Sequence, residues 1–214
     1  MKKFFAIFFA IILVGAGFIY FTYFKSGKKT PKGPKPVAMT VSAHSAGFNE
    51  SVRASLQSYY DLSEAFVSWN DAEVKRLAFQ LSKALDSLQL DELKVDSTGI
   101  YESALDPLSN AKAEASSIMV SEDWEARRVA FRQLSENLRL LLIIVKYDQE
   151  KIYWQECPMA FNDEEAANWL SKTEEIRNPY LGTSHPKYKA TMLTCGSSKE
   201  TINFMKSADT KPAE

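Results

Sequence analysis

The sequence contains few of the residues from which most catalytic and metal-binding sites are built. It has two cysteines and two histidines among 214 residues, and neither cysteine belongs to a CxxC pair. We recognise no serine turn of the hydrolase type, no glycine-rich phosphate loop and no carboxylate pair suited to acid–base catalysis. We therefore expect that the chain is not an enzyme. Two cysteines allow one disulfide or one pair of soft-metal ligands, and their number alone does not distinguish these.

A broadly basic surface is also missing. The formal net charge is -1, and lysine is the only charged residue type in the first 36 residues, so the rest of the chain is correspondingly acidic. This charge distribution predicts no nucleic-acid partner. The contents of 25% charged and 12% aromatic residues are typical of a folded domain, and the length allows one domain plus an anchor.

An uncharged apolar run begins at Phe4 and ends at Phe24, and lysines lie on both sides of it. As a helix it would extend roughly 31 Å, enough to cross a bilayer. We predict a single N-terminal membrane anchor over residues 1–25. The competing interpretation is a cleaved export signal, with small residues at 15–17 near the cleavage site.

A tether is predicted over residues 26–47, because its first part is rich in proline, glycine and lysine and cannot bury apolar surface. More lysines follow the apolar run than precede it. By the positive-inside rule, this difference favours a cytoplasmic body.

Helical periodicity begins at Asn49, and the first predicted helix ends near Trp69. Asn70 with Glu73 three residues later forms an N-cap pattern that opens a second helix. We expect these two helices to form an antiparallel hairpin.

Two further helices are predicted before residue 148. Ser97 is the expected cap of the third, and Pro107 should kink it. Ser121, followed by two acidic residues, opens the fourth. The predicted fold class is mainly α, a four-helix up-and-down bundle over residues 48–148 that follows the transmembrane helix.

The apolar faces of these helices are expected to form a core without a metal site, because they carry no His, Asp or Glu at di-metal spacing. The bundle is thus predicted to be a scaffold or a docking surface. We place Arg127, Arg128 and Glu136 on its solvated outer face, and we interpret His44 as a capping or surface residue.

A small β and loop segment is expected over residues 149–206, and a disordered tail over 207–214. Residues 152–157 alternate in polarity like a short strand that delivers Cys157 to a turn at the following proline. We expect a helical turn over residues 163–167, a second strand over 168–171 and a tight turn over 178–182.

Four sulfur atoms in this segment could form one site. Cys157 and Met159 are two residues apart in an extended chain, and Met192 and Cys195 are three apart, the spacing of one helical turn. Two thiolates and two thioethers are soft donors that suit Cu(I) better than Zn(II). His185 lies in the same segment and could add a nitrogen ligand.

From the residues alone, three interpretations stay open. The first is a disulfide between Cys157 and Cys195, which would contribute on the order of 3 to 4 kcal/mol. The second is the soft-metal site, and the third is a pair of buried, inert thiols with Met159 and Met192 as ordinary core residues. A catalytic pair of Cys157 and His185 is a much weaker alternative.

The motifs of the segment resemble those of a protein family. They are CPMA at 157–160, WLS at 169–171, EIRNPYLG at 175–182 and MLTCG at 192–196. The helical runs YYDLSEAF at 59–66 and FRQLSENL at 131–138 match as well. Over about residues 40 to 205, the chain resembles a family of unknown function that is common in Bacteroidetes. That family occurs as exported proteins and fused to periplasmic adaptor subunits of copper and silver efflux pumps.

The resemblance implies a helical bundle with a CPM-bearing appendage, placed in the periplasm and associated with heavy-metal handling. It favours a translocated body over the lysine count. Many members join the NPYxG turn more directly to the MxxCG segment, whereas residues 183–191 intervene here and bring His185. We therefore expect a membrane-tethered periplasmic protein that holds Cu(I) or a similar soft ion for an efflux adaptor or pump. The alternative is a structural or interaction module of the cell envelope with a Cys157–Cys195 disulfide.

Overall fold

The computed structural model describes residues 44–205, which fold into four α-helices followed by a three-stranded antiparallel sheet. The helices are α1 (Ala46–Val67), α2 (Asp71–Asp86), α3 (Ile100–Val120) and α4 (Trp124–Val145), with a 3-10 helix (Leu90–Val95) between α2 and α3. The strands are β1 (Ile152–Phe161), β2 (Glu165–Ser171) and β3 (Ser197–Ile202). The mainly helical class with a small β segment is thus confirmed.

Several predictions concern residues outside this range. The anchor or signal over 1–25, most of the tether over 26–47 and the tail over 207–214 lie outside the described residues. Within residues 44–205, no helix combines the length and the apolar character that crossing a membrane requires.

The helix starts follow local capping, which the sequence predicted only in part. Asn70 caps α2 as expected, accepting from the backbone N–H of Glu73 at 3.2 Å. Helix α1 begins earlier than expected because Ser45 caps it. The predicted cap Ser97 is wrong, since a left-handed Gly99 precedes α3. Ser121 is also not the cap of α4.

Asp123 caps α4 instead, where its carboxylate accepts from the backbone N–H groups of Glu125 and Ala126. Ser121 bonds to Asp123 and closes the short connection from α3. Helix α3 continues past Pro107, and the expected kink there stays a prediction.

Consecutive helices pack on each other, and aromatic side chains join the first helix to the last. Tyr59 of α1 stacks on Phe131 of α4, with ring centroids 5.4 Å apart. The Tyr59 hydroxyl lies 2.7 Å from Ser135 Oγ and also accepts from the backbone N–H of Leu170 in β2. One phenol therefore links α1, α4 and the sheet inside a single core.

Two arginines that were expected on the outer face are buried. Arg127 is 0% exposed and donates to the Ser121 carbonyl and to Asp71, which joins the start of α4 to the start of α2. Arg128 is 5% exposed and faces the sheet. The prediction was wrong because a guanidinium can be buried when carbonyls and carboxylates surround it. Glu136 is exposed, as expected.

His44 also differs from its interpretation as a capping or surface residue. Its side chain is only 4% exposed. The ring contacts Glu92 through Nδ1 at 3.1 Å and the Val145 carbonyl through Nε2 at 2.7 Å, and it stacks on Phe48. His44 thus ties the start of the described chain to the end of α4.

The sheet has the strand order β2-β1-β3, with all pairs antiparallel. The helical turn predicted over 163–167 is wrong, because Asn162 and Asp163 both have positive φ and form a tight hairpin turn, as Asn and Asp often do. Strand β3 was not predicted, since only Ile202 among its six residues is buried and no alternation marks it.

Candidate sulfur site

The two cysteines, 38 positions apart in sequence, meet in the folded chain. Their Sγ atoms are 3.1 Å apart, and both are free thiols. Cys157 is 0% exposed, whereas Cys195 is partly exposed. The pair therefore joins a buried position in the central strand to a loop at the surface. The sequence predicted both residues as site candidates, and the structure brings them together.

Cys157 lies where the regular ladder of β1 ends. It pairs with Ala167, and the next pair in register joins Phe161 to Glu165, so three residues of β1 stand opposite one residue of β2. Pro158 begins this bulge, since proline has no N–H to donate to the ladder. Met159 is the middle residue of the bulge and is partly buried against the core.

Cys195 is held above β1 by the residue that follows it. Gly196 has φ of 139°, and a Cβ on it would lie 2.6 Å from the Glu156 carbonyl oxygen and 3.1 Å from the Trp169 ring. Only glycine allows the chain to approach β1 this closely. A turn precedes Cys195, whose N–H donates to the Met192 carbonyl at 3.0 Å.

Asn178 fixes the loop that carries Cys195. It is fully buried, and its amide nitrogen donates to the Cys195 carbonyl at 2.8 Å. Its Oδ1 accepts from the backbone N–H groups of Tyr180 and Leu181, and its own N–H donates to the Leu193 carbonyl. One side chain thus joins the turn over 178–182 to the segment that ends in the thiol.

The turn over 178–182 is confirmed, and it docks on the end of α1. The Gly182 N–H donates to the Asn178 carbonyl at 2.9 Å. Gly182 has φ of 55°, and a Cβ on it would lie 2.4 Å from the Val67 carbonyl oxygen. The indole N–H of Trp69 donates to the Leu181 carbonyl at 3.0 Å. The end of α1 therefore sets the position of the loop above the sheet.

A second buried amide holds the other part of this loop. Gln155 is 0% exposed, and its Nε2 lies 3.0 Å from the Thr173 carbonyl oxygen and 3.1 Å from that of Glu174. Because an amide nitrogen carries two hydrogens, it can serve both carbonyls. Gln155 therefore fastens the chain that leaves β2 to the central strand.

Arg128 supplies a buried positive charge next to the bulge. Its guanidinium donates to the Ala160 carbonyl and lies 4.9 Å from the centre of the Phe161 ring. Burial lowers the pKa of Arg128. The negative charge of Glu125 opposes this shift, and Cys157 opposes it more weakly. A guanidinium at this position would stabilise negative charge on the sulfur pair.

The environment of Cys195 favours the protonated thiol. Burial is the main cause, and contact with Cys157 adds to it, so that the pKa of Cys195 is raised to about 12. In the absence of a metal ion or an oxidant, the Cys195 thiol is thus expected to be neutral at physiological pH.

The remaining candidate ligands have different surroundings. Met192 is partly buried against the core, like Met159. His185 contacts the Trp69 ring edge and stacks on Tyr188, and its Nδ1 accepts from the backbone N–H groups of Lys187 and Tyr188. Burial, followed by the charge of Arg128, lowers the pKa of His185.

Among residues 44–205, no hydrogen bond joins His185 to either cysteine. In the same part of the chain, no group of three or more His, Cys, Asp and Glu residues is arranged to hold a metal ion. The participation of His185, Met159 and Met192 in a site stays a prediction.

Sequence reasoning did not identify the three buried polar side chains that position the sulfur pair, which are Gln155, Asn178 and Arg128. For Asn178, the NPY turn was a usable signal, because Asn commonly accepts hydrogen bonds from the backbone two and three residues later. No comparable signal marks Gln155 or Arg128, since the backbone carbonyls that they bond are distant in sequence. The local partner of Arg128 is Glu125, at 2.6 Å, and such a pair three residues apart is also typical of an exposed helix face.

Comparisons with known proteins concern the helices rather than the sulfur pair. No curated protein and no solved structure matches the chain. One family matches residues 55–150, which begin within α1 and end before β1, so both cysteines lie outside the match. The helical region is thus similar to a family of unknown function, described as Protein of unknown function (DUF3347).

Proposed function

We propose that this chain is a non-enzymatic protein of the cell envelope that binds a soft metal ion of the Cu(I) class. Cys157 and Cys195 are the proposed primary ligands. The observation that carries the proposal is the 3.1 Å separation of two sulfur atoms delivered by distant parts of the chain. Met159 and Met192 are the candidates for additional thioether ligands.

The donor chemistry fits such an ion, because thiolates and thioethers favour Cu(I) over harder cations. The thiol separation needs a small adjustment. Two thiolates at tetrahedral positions around an ion, each about 2.3 Å from it, lie about 3.8 Å apart. Cys195 can supply this movement, because it is partly exposed on a turn, whereas Cys157 is fixed in the central strand.

Binding would also change the charge of the site. Both thiols must lose a proton to act as ligands, so affinity should rise with pH. The buried guanidinium of Arg128 favours the resulting negative charge. Thioether ligands need no deprotonation, so Met159 and Met192 would support binding where the thiols are still partly protonated.

The test is a competition between the reduced, full-length protein and a chromophoric Cu(I) chelator under anaerobic conditions. We expect one ion per chain, and a loss of that binding in the Cys157→Ser, Cys195→Ser double variant. Met192→Leu should weaken binding about tenfold if the thioether is a ligand, which corresponds to about 1.4 kcal/mol. Met119→Leu in α3 is the matched control and should leave affinity unchanged. An unaltered affinity in the double cysteine variant would refute the proposal.

A disulfide-linked structural module is the second candidate, and the same distance favours it. At 3.1 Å, the two sulfurs are closer than two metal ligands and must approach by about 1 Å to form a disulfide bond. A bond spanning 38 positions would stabilise the fold by about 4 kcal/mol. Protein isolated from cells with its thiols alkylated at lysis should then have no free thiol, no bound metal and a mass lower by two hydrogens. Free thiols with bound copper would exclude this candidate.

Placement and partner are part of the proposal. We infer that the apolar run from Phe4 to Phe24 tethers the chain to the inner membrane and that the body lies in the periplasm, where an efflux adaptor or pump could receive the metal ion. A periplasm-dependent reporter fused after residue 205 tests the orientation, and inactivity of that reporter would contradict it. Crosslinking in cells grown with and without copper tests for the partner.

A further inference from the structure

A polar pocket lies between one face of α1 and the chain that joins α4 to β1. Its volume is about 370 Å³, and its lining includes Asn49, Arg53 and Tyr60 from α1, Glu150 from the connection and Lys172 from the residues after β2. The α1 residues are spaced at about whole turns of the helix, so they form one continuous wall. None of these side chains belongs to the sulfur site.

Three charged side chains line this pocket, and two of them, Glu150 and Lys172, have opposite charges but do not pair with each other. Within residues 44–205, neither Glu150 nor Lys172 takes part in an ion pair, although both line the same cavity. Burial raises the pKa of Glu150, and the charges of Lys172 and Arg53 oppose that shift. Arg53 is paired with Glu50 at the rim. The pocket therefore has a partly desolvated carboxylate and an unpaired ammonium.

Two neutral polar groups in the lining also have no partner in the described part of the chain. They are the Tyr60 hydroxyl and the Asn49 Oδ1, and both atoms are buried. Buried polar atoms in native proteins almost always have a hydrogen-bond partner from protein, water or ligand. Water or a polar ligand that reaches these two atoms would supply the missing partners.

We propose that the pocket binds a zwitterion of amino-acid to dipeptide size, with its ammonium group at Glu150 and its carboxylate at Lys172. A purely anionic ligand would be repelled by Glu150, and a purely cationic one by Lys172. An apolar ligand would cover the partly buried Glu150 carboxylate without pairing it. The volume lies at the small end of ligand pockets, which agrees with a ligand of this size. This site is independent of the proposed sulfur chemistry.

The first test is calorimetric titration of the full-length protein in mild detergent with alanine, dialanine, N-acetylalanine and alanine amide. Saturable binding of alanine or dialanine is expected. Both derivatives should bind at least tenfold more weakly, because each lacks one of the two charges. Absence of saturable binding by both zwitterions, or equal binding of the derivatives, would overturn the proposal.

The second test uses Glu150→Gln and Lys172→Met. Each variant should bind the zwitterion at least tenfold more weakly, and Lys172→Met should no longer distinguish dialanine from alanine amide. Lys112→Met, which removes a surface lysine paired with Asp86, is the matched control and should bind normally. Equal affinities in all variants, with unchanged urea midpoints, would refute the assigned residues.

Discussion

The side-chain amide of Asn178 donates to the backbone carbonyl of Cys195 at 2.8 Å. Through this bond, the turn that begins with the NPY motif determines where the second thiol lies above β1. The proposed function therefore depends on a residue that is itself no metal ligand. Four predictions test this and related relationships.

Asn178→Ala should lower the free energy of unfolding by about 2 to 3 kcal/mol, because it leaves buried backbone groups without partners. Cys195 should also become less well positioned, so diamide should form the Cys157–Cys195 disulfide more slowly. Urea unfolding and timed alkylation measure the two effects. Asn137→Ala is the control, since that side chain donates only to the Gln133 carbonyl within α4. Equal effects of the two substitutions would contradict the role of Asn178.

Gly182→Ala should destabilise the protein more than Gly99→Ala. Both glycines have positive φ, so both substitutions carry a backbone penalty of about 1 to 2 kcal/mol. A Cβ at Gly182 would also meet the Val67 carbonyl at 2.4 Å, whereas the nearest atom to a Cβ at Gly99 lies 3.9 Å away. Urea midpoints compare the pair. Similar midpoints would mean that the loop does not depend on close contact with α1.

Arg128→Met should reduce both stability and Cu(I) affinity. It removes the donor to the Ala160 carbonyl at the bulge and the positive charge near Cys157. We expect a loss of about 1 to 3 kcal/mol in stability. Compared with Arg128→Met, Arg128→Lys should restore most of the metal affinity but less of the stability. Lysine keeps the positive charge but lacks the planar group that donates to the carbonyl. Chelator competition and urea unfolding separate these effects.

Arg132→Met is the control for this series. Arg132 also lies 4.9 Å from the Phe161 ring and pairs with Glu165 as Arg128 pairs with Glu125, but its side chain is more exposed. It should have little effect on metal affinity. An equal loss in both methionine variants would assign the effect to the aromatic contact rather than to the buried charge.

Stability should fall at alkaline pH because of Cys195. Its pKa is raised from an ordinary value of 9.0 to about 12 by burial and by Cys157. Above pH 9 the unfolded thiol loses its proton while the folded one keeps it, so the contribution is complete below pH 9 and declines as the pH rises towards 12. Urea midpoints of the wild type and Cys195→Ser across this range measure it.

Only the difference between these two proteins is informative, because lysines and tyrosines also titrate in this range. If the two midpoints fall in parallel, the folded environment does not hold the thiol in its protonated form. Alkylation by iodoacetamide should also be slower in the folded than in the unfolded protein at pH 8, since the thiolate is the reactive form.

Much of the helical region was predictable, because its signals are local. The period of apolar residues located four helices, and the cap at Asn70 was correct in both residue and partner. The predicted caps Ser97 and Ser121 were wrong because Gly99 and Asp123, two residues later in each case, cap the helices instead. Residues of these types differ little in N-cap free energy, so the sequence alone does not choose between them.

The sheet was less predictable, because strand formation depends on partners that are distant in sequence. Strand β1 was recognised from its alternation, whereas β3 has only Ile202 buried and forms because β1 presents an open edge to it. The buried positions of Arg127 and Arg128 were missed for a similar reason, since their burial depends on carbonyls and carboxylates supplied by other elements.

The sequence by itself determined that this chain has four amphipathic helices and that its only two thiols lie in one C-terminal segment. Helical period, caps and residue identity are sufficient for this, because they act over a few neighbouring residues. Only the tertiary structure decided that Cys157 and Cys195 lie 3.1 Å apart. That contact requires the loop to close over β1, and loop closure depends on Gly196, Asn178 and the end of α1 acting together.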